Sequence, residues 1–499
     1  MKSRTLTCVT LVTLLVALGT PVRLTAQHTR YKLVDVGTFG GPNGGYFAFV
    51  GARSLNNHGV ATGAADTSTA VNPPFCFNDC FLAHTFLWQN SVLTDLGGLP
   101  GASVSQSGPN DINAKGVIAG IAFSGPIDPV IGFPEFDAVV WKDGQIIDLG
   151  TFGGTFSYAN AINDQDQVVG FGLNSTPDSF DLGDFCENFP MPTQMRAFVW
   201  QNGVKQDLGT LGGTDSCALF VNQRGQAAGH SFTDSIVNPN TGLPTIHPFI
   251  WENGKMVDLG TLGGALAVAG AINDRGQIAG SSDLAGDLTS HPFLWDRGVL
   301  TDLGTLGGDN GTTHWINNAG EVVGFADLPG STAHHGFLWR KGVMQDLGTV
   351  ANQPCSNAIR INSKGQIVGR ASDCMGGALH AFLWDKGSIV DLNAFVPTGS
   401  GLTLAEADYI NDRGEIAAQG VLANGDLHGI LLIPCGDGEE GCQNSVEGAN
   451  AATQSNSAPV TKRAATWAQR RLTPGEMLNA RRAQLDRRYH IPALGVPKD

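Results

Sequence analysis

One four-part pattern occurs eight times along the chain, and this periodicity constrains the fold more than any other feature. Each copy runs close to Asp-Leu-Gly-Thr-Leu-Gly-Gly, then Ile-Asn-x-x-Gly-Gln-Val-Val-Gly, then His-x-Phe-Leu-Trp. Successive asparagines of the second element are 44 to 59 positions apart, which brackets the roughly 40–50 residues of a four-stranded propeller blade. These asparagines are Asn56, Asn113, Asn163, Asn222, Asn273, Asn317, Asn362 and Asn411.

Each copy is predicted to form four short strands, a to d. In the third copy the pattern predicts strands at 158–163, 167–171, 196–200 and 204–208, separated by turn residues. A Gly closes the a–b turn in most copies, as expected where a hairpin needs positive φ. Asp166 takes this place in the third copy, and Asp tolerates the left-handed region better than most residues.

Strand c is apolar on both faces, as in Phe382, Leu383 and Trp384. A strand with one solvent-exposed face would alternate strictly between apolar and polar residues. Radial stacking of blades supplies a neighbouring sheet on each side and explains the pattern.

The phase of the repeat indicates a ring. Residues 31–37 read as a strand d with no a, b or c before it, and the last copy, ending near Leu432, has no strand d after it. An open array would need polar caps at both ends. The sequence therefore predicts an all-β fold, an eight-bladed β-propeller of four-stranded antiparallel blades, closed by the N-terminal strand completing the last blade.

The recurring elements resemble a known repeat. His380-Ala381-Phe382, with its flanking Asp-Leu-Gly-Thr-Leu-Gly-Gly and Ile-Asn-x-x-Gly-Gln elements, is similar to the probable extracellular HAF repeat, over about residues 31–433. The resemblance implies an exported bacterial protein of unassigned activity and carries over no catalytic residue. The His position is Asp137 in the second copy and Arg196 in the third, and Leu432 replaces Trp in the last.

Composition and the two ends suggest four segments. We predict a signal peptide at 1–26, the eight-repeat propeller at 27–435, a flexible linker at 436–461, and a basic tail with a short helix at 462–499. Subtracting +6 for the tail and +3 for the signal from the total of −15 leaves −24 on the remainder. An acidic ring does not suit nucleic acid, which needs a basic footprint. The tail either lies on an acidic or anionic surface or is solvated.

Cys8 lies in the predicted signal peptide, and eight cysteines remain. An even number in an exported chain indicates disulfides. Connectivity does not follow from sequence, but proximity favours 76–80, 186–217, 355–374 and 435–442. A metal site is the weaker alternative, because Cys-x-x-x-Cys without a His pair is a poor zinc signal. The candidates are Cys76, Cys80, Cys186, Cys217, Cys355, Cys374, Cys435 and Cys442.

The repeated histidines are predicted to be scaffold, because a residue that recurs in each blade rarely performs catalysis. We expect each to hydrogen-bond within its blade, for example to the Asp-Leu-Gly carboxylate, since buried polar groups need partners. They are His84, His247, His291, His335, His380 and His428.

Candidate ligand-binding residues come from positions where the copies differ. A small residue lies three positions before the Ile of Ile-Asn in every copy, and the next two positions vary widely. Positions free of the packing demand could build a central site, although variation can also mean tolerance. The candidates are Arg53, Asp111, His314, Trp315, Arg360, Asp408 and Tyr409.

A second clue is the length of the b–c connections. The first four copies carry insertions at 64–83, 121–136, 171–195 and 230–246, on the face that also holds the Gly-Gly loops. Insertions on one face often mark the binding face. Their many phenylalanines, including Phe133, Phe136 and Phe180, either pack locally as a lid or form an apolar binding patch.

The leading functional hypothesis is a secreted, extracellular or periplasmic binding protein that recognises carbohydrate, another surface macromolecule or a small ligand. We expect a monomer without cofactor or membrane span, and binding rather than catalysis, because no nucleophile–base pair is visible. A polysaccharide hydrolase or lyase is the alternative, with carboxylates drawn from Asp111, Asp408, Asp128 and Glu135. A structural adhesion protein is the third possibility.

Overall fold

The computed structural model describes residues 30–46, 53–72, 80–102, 104–128, 133–178, 193–239, 241–435 and 441–442, together with the single residues 180, 182, 186 and 191. The predicted signal peptide, most of the linker and the basic tail lie outside these residues. So do Cys76 and the loop residues Phe75, Phe77, Phe185 and Phe189. No helix among the described residues has the length and apolar character needed to cross a membrane.

The described chain is all-β, with 32 strands that form four-stranded antiparallel units in chain order. Units 1 to 4 consist of β2 Gly40–Gly45, β3 Ala61–Ala70, β4 Phe81–Gln89 and β5 Val92–Asp95; β6 Ser107–Ile112, β7 Ile118–Ile127, β8 Pro134–Lys142 and β9 Gln145–Asp148; β10 Gly153–Ile162, β11 Val168–Pro177, β12 Thr193–Gln201 and β13 Val204–Asp207; β14 Ser216–Val221, β15 Ala227–Phe232, β16 Ile246–Glu252 and β17 Lys255–Asp258.

Units 5 to 7 follow the same order. They consist of β18 Gly263–Ile272, β19 Ile278–Leu284, β20 Ser290–Asp296 and β21 Val299–Asp302; β22 Gly311–Ile316, β23 Val322–Asp327, β24 His334–Arg340 and β25 Val343–Asp346; β26 Cys355–Ile361, β27 Ile367–Ser372, β28 His380–Asp385 and β29 Ser388–Asp391. Single parallel bridges join unit 2 to unit 3 and unit 4 to unit 5.

Unit 8 combines the two ends of the described chain. After a short 3-10 helix, Leu392–Phe395, it contains β30 Thr403–Ile410, β31 Ile416–Val421 and β32 Leu427–Pro434, and its fourth strand is β1 Tyr31–Asp35. The register pairs Tyr31 with Pro434 and Asp35 with Ile430. The strand that opens the repeat thus pairs with the strand that ends it.

The core lies between successive units. Its largest fully buried side chains include one phenylalanine from strand c of most units, among them Phe86, Phe198, Phe249, Phe293, Phe337 and Phe382. Phe382, Leu383 and Trp384 are all buried, which confirms that strand c packs on both faces. One cluster joins unit 1 to unit 8, since it combines Tyr46 and Phe86 with Ala417 and Leu431.

The Ile-Asn turns carry a series of hydrogen bonds between units. Within each turn the Asn side chain caps the hairpin; Asn273 Oδ1, for example, accepts from the backbone N–H groups of Arg275 and Gln277, both at 3.0 Å. Its Nδ2 donates to the backbone carbonyl of Asn317 in the next unit at 3.0 Å. The same bond occurs eight times, and the last returns from Asn411 to Asn56 at 2.9 Å.

Two predicted details need correction. The insertions at 64–83, 121–136 and 171–195 are not simple loops, because they extend strands b and c into hairpins such as β3 and β4, of 10 and 9 residues. Strand a of unit 3 is also longer than predicted, because β10 begins at Gly153. Strand a of unit 5 begins at the equivalent residue, Gly263. Asp166 does adopt the left-handed conformation, with φ 60°.

Candidate functional site

The repeated histidines are scaffold, as predicted. In six units the His Nδ1 lies 2.8–3.0 Å from the Asp-Leu-Gly carboxylate of the same sheet, and Arg196 takes this role in unit 3. The same carboxylate accepts the backbone N–H two residues later, as in Asp258 with Gly260 at 2.8 Å. In these seven units the aspartate therefore contacts both strand c and the turn that leaves strand d.

The variable positions lie at a β-bulge on the innermost strand. In units 2 to 8 the a–b register shifts immediately after the small residue, so that the next residue is skipped in the pairing. Bulges re-aim side chains and are over-represented beside functional sites. His314 and Asp408 are skipped residues, and Asp111, Trp315, Arg360 and Tyr409 directly follow one.

Glycine on strand b makes room for this bulge. A Cβ on Gly120 would lie 2.2 Å from the carbonyl oxygen of Gly108 and 2.8 Å from the Cα of Pro109 on strand a. Gly170, Gly229, Gly280, Gly324 and Gly369 meet the carbonyl of the equivalent strand-a residue at 1.8–2.2 Å in the same way. The close approach of the two strands requires glycine.

An ion pair joins units 1 and 2 at this level. Arg53 Nε and Nη2 each donate to the Asp111 carboxylate at 2.8 Å, and the backbone N–H of Arg53 donates to it at 3.1 Å. Asp111 is 2% exposed and also accepts from the backbone N–H of Ile162 in unit 3 at 2.8 Å. Arg53 Nη2 donates to the Ile162 carbonyl. Burial alone would lower the pKa of Arg53, but Asp111 raises it above its usual value.

A cation–aromatic stack joins units 6, 7 and 8. The guanidinium carbon of Arg360 lies 4.0 Å from the ring centroid of Trp315 and 5.6 Å from that of Tyr409. Arg360 is buried, whereas both aromatic rings are partly exposed. Burial lowers the pKa of Arg360 to about 10, so the side chain stays charged at neutral pH. Trp315 also packs on three hydrophobic clusters.

A group of acids adjoins this stack. Glu406 Oε2 accepts from Arg370 Nη1 at 2.7 Å, and Asp408 follows two residues later on β30. Burial, reinforced by Glu406, raises the pKa of Asp408 well above its usual value despite Arg370 and Arg360. Its Oδ2 atom is buried and receives no hydrogen bond from the described residues. The raised pKa favours the protonated form of Asp408, which lies two residues from the Arg370-paired Glu406.

The structure brings six of the seven predicted residues together in two linked groups. Arg53 and Asp111 form one group, and Trp315, Arg360, Tyr409 and Asp408 the other; Tyr409 and Arg53 interact electrostatically across units 8 and 1. We call these six residues, with Glu406 and Arg370, the inner cluster. His314 differs, because its Nδ1 donates to the Ala358 carbonyl at 2.9 Å, the same inter-unit bond that Asn110 and Asn160 make.

Sequence reasoning missed Glu406 and Arg370. Glu406 could have been proposed from the sequence, because it is a second carboxylate only two residues before the candidate Asp408. Arg370 lies on strand b of unit 7 and reaches Glu406 only because units 7 and 8 pack together. No signal within its own copy marks it.

The described phenylalanines of the insertions pack locally. Phe136 is 1% exposed and lies 4.6 Å from Phe156 and 4.8 Å from Tyr158 between ring centroids. Phe133 contacts Phe136 at 6.3 Å, and Phe180 contacts Phe232 at 6.3 Å. Among the described insertion residues, these contacts favour the lid over the binding patch.

Three predicted disulfides are present: Cys186–Cys217, Cys355–Cys374 and Cys435–Cys442. Cys80 is also disulfide-bonded, while its predicted partner lies outside the described residues. The disulfides are consistent with an oxidising compartment such as the periplasm or the exterior. The Cys435–Cys442 bond lies across the predicted start of the linker.

No family model matches the chain, and no curated protein matches it. Similar solved structures include TolB from Acinetobacter baumannii, at 10% identity over 77% of this chain and 81% of that chain, with a TM-score of 0.33. Porphyromonas gingivalis dipeptidyl peptidase 4 is 10% identical over 76% of this chain and 59% of that chain, with a TM-score of 0.42. The acylaminoacyl peptidase of Pyrococcus horikoshii is 10% identical over 73% and 56%, with a TM-score of 0.35. Similarities at this level assign no activity to this chain.

Proposed function

We propose that the chain is an exported binding protein of the HAF-repeat type, that its eight units close into an eight-bladed propeller, and that it binds a carbohydrate at the inner cluster. Three features support closure: β1 completes unit 8, units 1 and 8 share a hydrophobic cluster, and Asn411 donates to Asn56 as every other turn Asn does to the next. Closure leaves no exposed sheet edge of an open array.

One observation carries the binding proposal. The polar residues that recur along the chain are used by the scaffold, in His–Asp pairs and in Asn bonds between units, whereas six of the seven copy-specific candidates lie in two linked groups. The inner cluster combines residues from units 1, 2, 6, 7 and 8. A scaffold that needed only stability would not require different residues at each of these positions.

The chemistry of the inner cluster suits a sugar. Trp315 and Tyr409 offer partly exposed aromatic rings, which supply apolar contact area with a polar edge. Guanidinium and carboxyl groups beside them can donate to and accept from hydroxyl groups. A small number of placed polar groups among apolar ones is typical of small-ligand sites.

The inner cluster and the insertions lie at opposite ends of the inner strands. The bulge residues come two or three positions before the turn Asn, at the a–b end, whereas the insertions extend the b–c end. Only one of the two sequence clues can mark the main binding face. We assign it to the inner cluster, because the insertion aromatics are occupied by their own packing.

Calorimetric titration against a glycan panel tests this assignment. Trp315→Ala and Tyr409→Ala are expected to weaken binding by about 10-fold or more, since stacked aromatic contacts contribute on the order of 1 kcal/mol each beyond area burial. Leu288→Ala is the control, because Leu288 is 82% exposed and belongs to unit 5, which contributes no residue to the inner cluster. If binding survives both aromatic variants but is lost when the β3–β4 hairpin is shortened, the site is on the insertion face instead.

A polysaccharide hydrolase is the second candidate, and the Asp408–Glu406 pair favours it. A buried carboxyl group with a raised pKa beside a second carboxyl group is an arrangement that suits acid–base hydrolysis. Asp111 is unsuited, because Arg53 and backbone N–H groups occupy its carboxylate. A hydrolase requires that Asp408→Asn and Glu406→Gln each abolish turnover of a cleaved polysaccharide while Asp128→Asn does not; full turnover in both inner variants excludes it.

A further inference from the structure

Two of the three described disulfides lie against a histidine. The Cys355 Sγ is 3.5 Å from His334 Nδ1 and accepts the backbone N–H of His334 at 3.3 Å. The Cys186 Sγ is 3.5 Å from His230 Nε2. Both histidines are buried, at 8% and 1% exposure. Neither belongs to the repeated His–Asp pairs.

The two sulfurs of Cys355–Cys374 differ in surroundings. Cys355 is 0% exposed at the start of β26, whereas Cys374 is partly exposed in the loop between β27 and β28. An attacking thiolate can therefore reach Cys374 and not Cys355. The leaving sulfur would be Cys355 Sγ. The His334 Nδ1 and the His334 backbone N–H lie beside this atom, where negative charge develops.

The loop around Cys374 holds a second feature. Cys374 has φ 67°, a left-handed conformation that non-glycine residues adopt rarely. Its backbone N–H donates to Ser372 Oγ at 3.3 Å, and Asp373 Oδ1 accepts from Met375 and Gly377 N–H at 2.9 and 2.8 Å. The disulfide tethers this tight loop to strand a.

We propose that Cys355–Cys374 is a redox-active disulfide that exchanges with an external dithiol, with His334 as the acid for the leaving sulfur. One thiolate of the dithiol attacks Cys374 Sγ, the bond between the two Cys sulfurs breaks, and Cys355 Sγ leaves with the electron pair and takes a proton from the His334 imidazolium, which becomes neutral imidazole. The second thiolate of the dithiol then attacks the mixed disulfide, which releases Cys374 as a thiolate and leaves the dithiol oxidised. The two electrons pass from the dithiol to the protein.

Cys186–Cys217 is arranged less favourably and serves as an internal comparison. There the histidine lies beside Cys186, the more accessible sulfur, and the other sulfur, on Cys217, is 0% exposed. Attack on Cys186 would expel Cys217 Sγ, which lies within 4.8 Å of a His230 ring nitrogen, whereas the 3.5 Å contact of His230 is to the sulfur under attack. Exchange is therefore expected to be slower at this bond.

Reduction would act on a neighbouring groove. The released loop residues Gly376, Ala378 and Leu379 form one wall of a groove of about 460 Å³ between units 7 and 8, and Thr403 and Val421 line the other. Freeing Cys374 removes the tether that fixes the first wall. The oxidation state of this disulfide would thus set the shape of the groove.

The test measures rates of exchange on the full chain. Each disulfide is followed during reduction by dithiothreitol at fixed pH, with alkylation of freed thiols and peptide mass analysis. His334→Gln is expected to slow reduction of Cys355–Cys374 by about 10-fold or more, as loss of a general acid does, and to leave Cys186–Cys217 unchanged. His230→Gln is the matched control and should not alter the rate at Cys355–Cys374.

Two outcomes would overturn the proposal. Equal rates at Cys355–Cys374 in the original chain and in His334→Gln would show that the imidazole takes no part. A parallel change at Cys186–Cys217 in the same sample would show that the substitution loosened the fold instead. If His334→Gln does not fold, His334→Asn is measured with the same readout, and an unchanged rate there has the same meaning.

Discussion

At the scale of single residues, unit 2 shows how one departure from the repeat is compensated by a neighbour. Asp137 replaces the usual His and so lies near a second carboxylate, Asp148. Lys205 of unit 3 places its ammonium 4.6 Å from the ring centroids of Phe152 and Phe198 and interacts with both aspartates. Burial, and then Asp148, raise the pKa of Asp137 to about 6, and burial lowers the pKa of Lys205 to about 8.

The raised pKa of Asp137 gives its removal a defined pH dependence. The folded state holds the Asp137 proton more tightly than the unfolded chain, so stability from this group is complete below about pH 4 and falls as the pH rises through about 6. The free energy of unfolding of Asp137→Asn should therefore equal that of the original chain near pH 4. At pH 7 it should be larger by about 1 kcal/mol, after allowance for solvent screening. Urea unfolding at both pH values measures this. A gain at pH 4 equal to that at pH 7 would contradict the electrostatic origin.

The strand-b glycines make a second prediction at this scale. Gly120→Ala would force its Cβ against the Gly108 carbonyl, and overpacking of this kind costs about 1–3 kcal/mol. Gly108→Ala is the control, because its Cβ would meet nothing within 4 Å. The free energy of unfolding should fall in the first variant and change little in the second. Equal losses would mean that backbone freedom rather than contact explains the glycine.

At the scale of strands and turns, the repeat pattern was sufficient to predict most of the fold. Strand order, the Gly and Asp166 turns, the His–Asp pairs and three disulfides all follow from local patterns, and the structure contains them. The pattern could not predict the bulge at Asp111 or Trp315, because a skipped residue depends on the partner strand. It also could not predict that the insertion hairpins extend strands, since their apolar residues suit a loop lid as well as a sheet.

The turn asparagines allow their two roles to be separated. Asn273→Asp keeps the Oδ1 acceptor for Arg275 and Gln277 but removes the Nδ2 donor to the Asn317 carbonyl and to Gln277 Oε1. Asn273→Ala removes the acceptor as well. We expect losses of about 1–2 kcal/mol for Asp and about 2–4 kcal/mol for Ala, because each buried bond contributes about 1 kcal/mol and orphaned groups cost more. Thermal and urea unfolding measure the difference. An Asn273→Asp variant as stable as the original chain would show that the Nδ2 donor contributes nothing, and equal stability of the two variants would show the same for the Oδ1 caps.

At the scale of the whole molecule, the proposed ring depends on the contact between units 1 and 8. Asn57 Nδ2 donates to Asp412 Oδ2 at 3.0 Å, and Asp412 N–H donates to Asn57 Oδ1 at 2.9 Å, across 355 positions of sequence. The same type of contact joins adjacent units elsewhere, as in Gln223 N–H with Asp274 at 2.9 Å. The contact between the first and last units is therefore chemically like the others.

Crosslinking tests this contact directly. The double variant Asn57→Cys with Asp412→Cys should be joined by a short bismaleimide as efficiently as Gln223→Cys with Asp274→Cys, because both pairs lie in adjacent turns. Asn57→Cys with Asp274→Cys is the control and should not react within one chain. Peptide mass analysis without reduction identifies the products. Failure of the first pair alongside success of the second would show an open array.

The direction of the asparagine bonds bears on how such a chain can change in size. Every amide points the same way, so each copy brings one donor for its successor and one acceptor for its predecessor. A duplicated copy would insert itself with both partners already matched, and a deleted copy would leave none orphaned. Adding or removing a whole repeat therefore changes no hydrogen bond at these turns. The number of repeats is limited instead by the copy-specific contacts, such as those of Arg53 with Asp111 and Ile162.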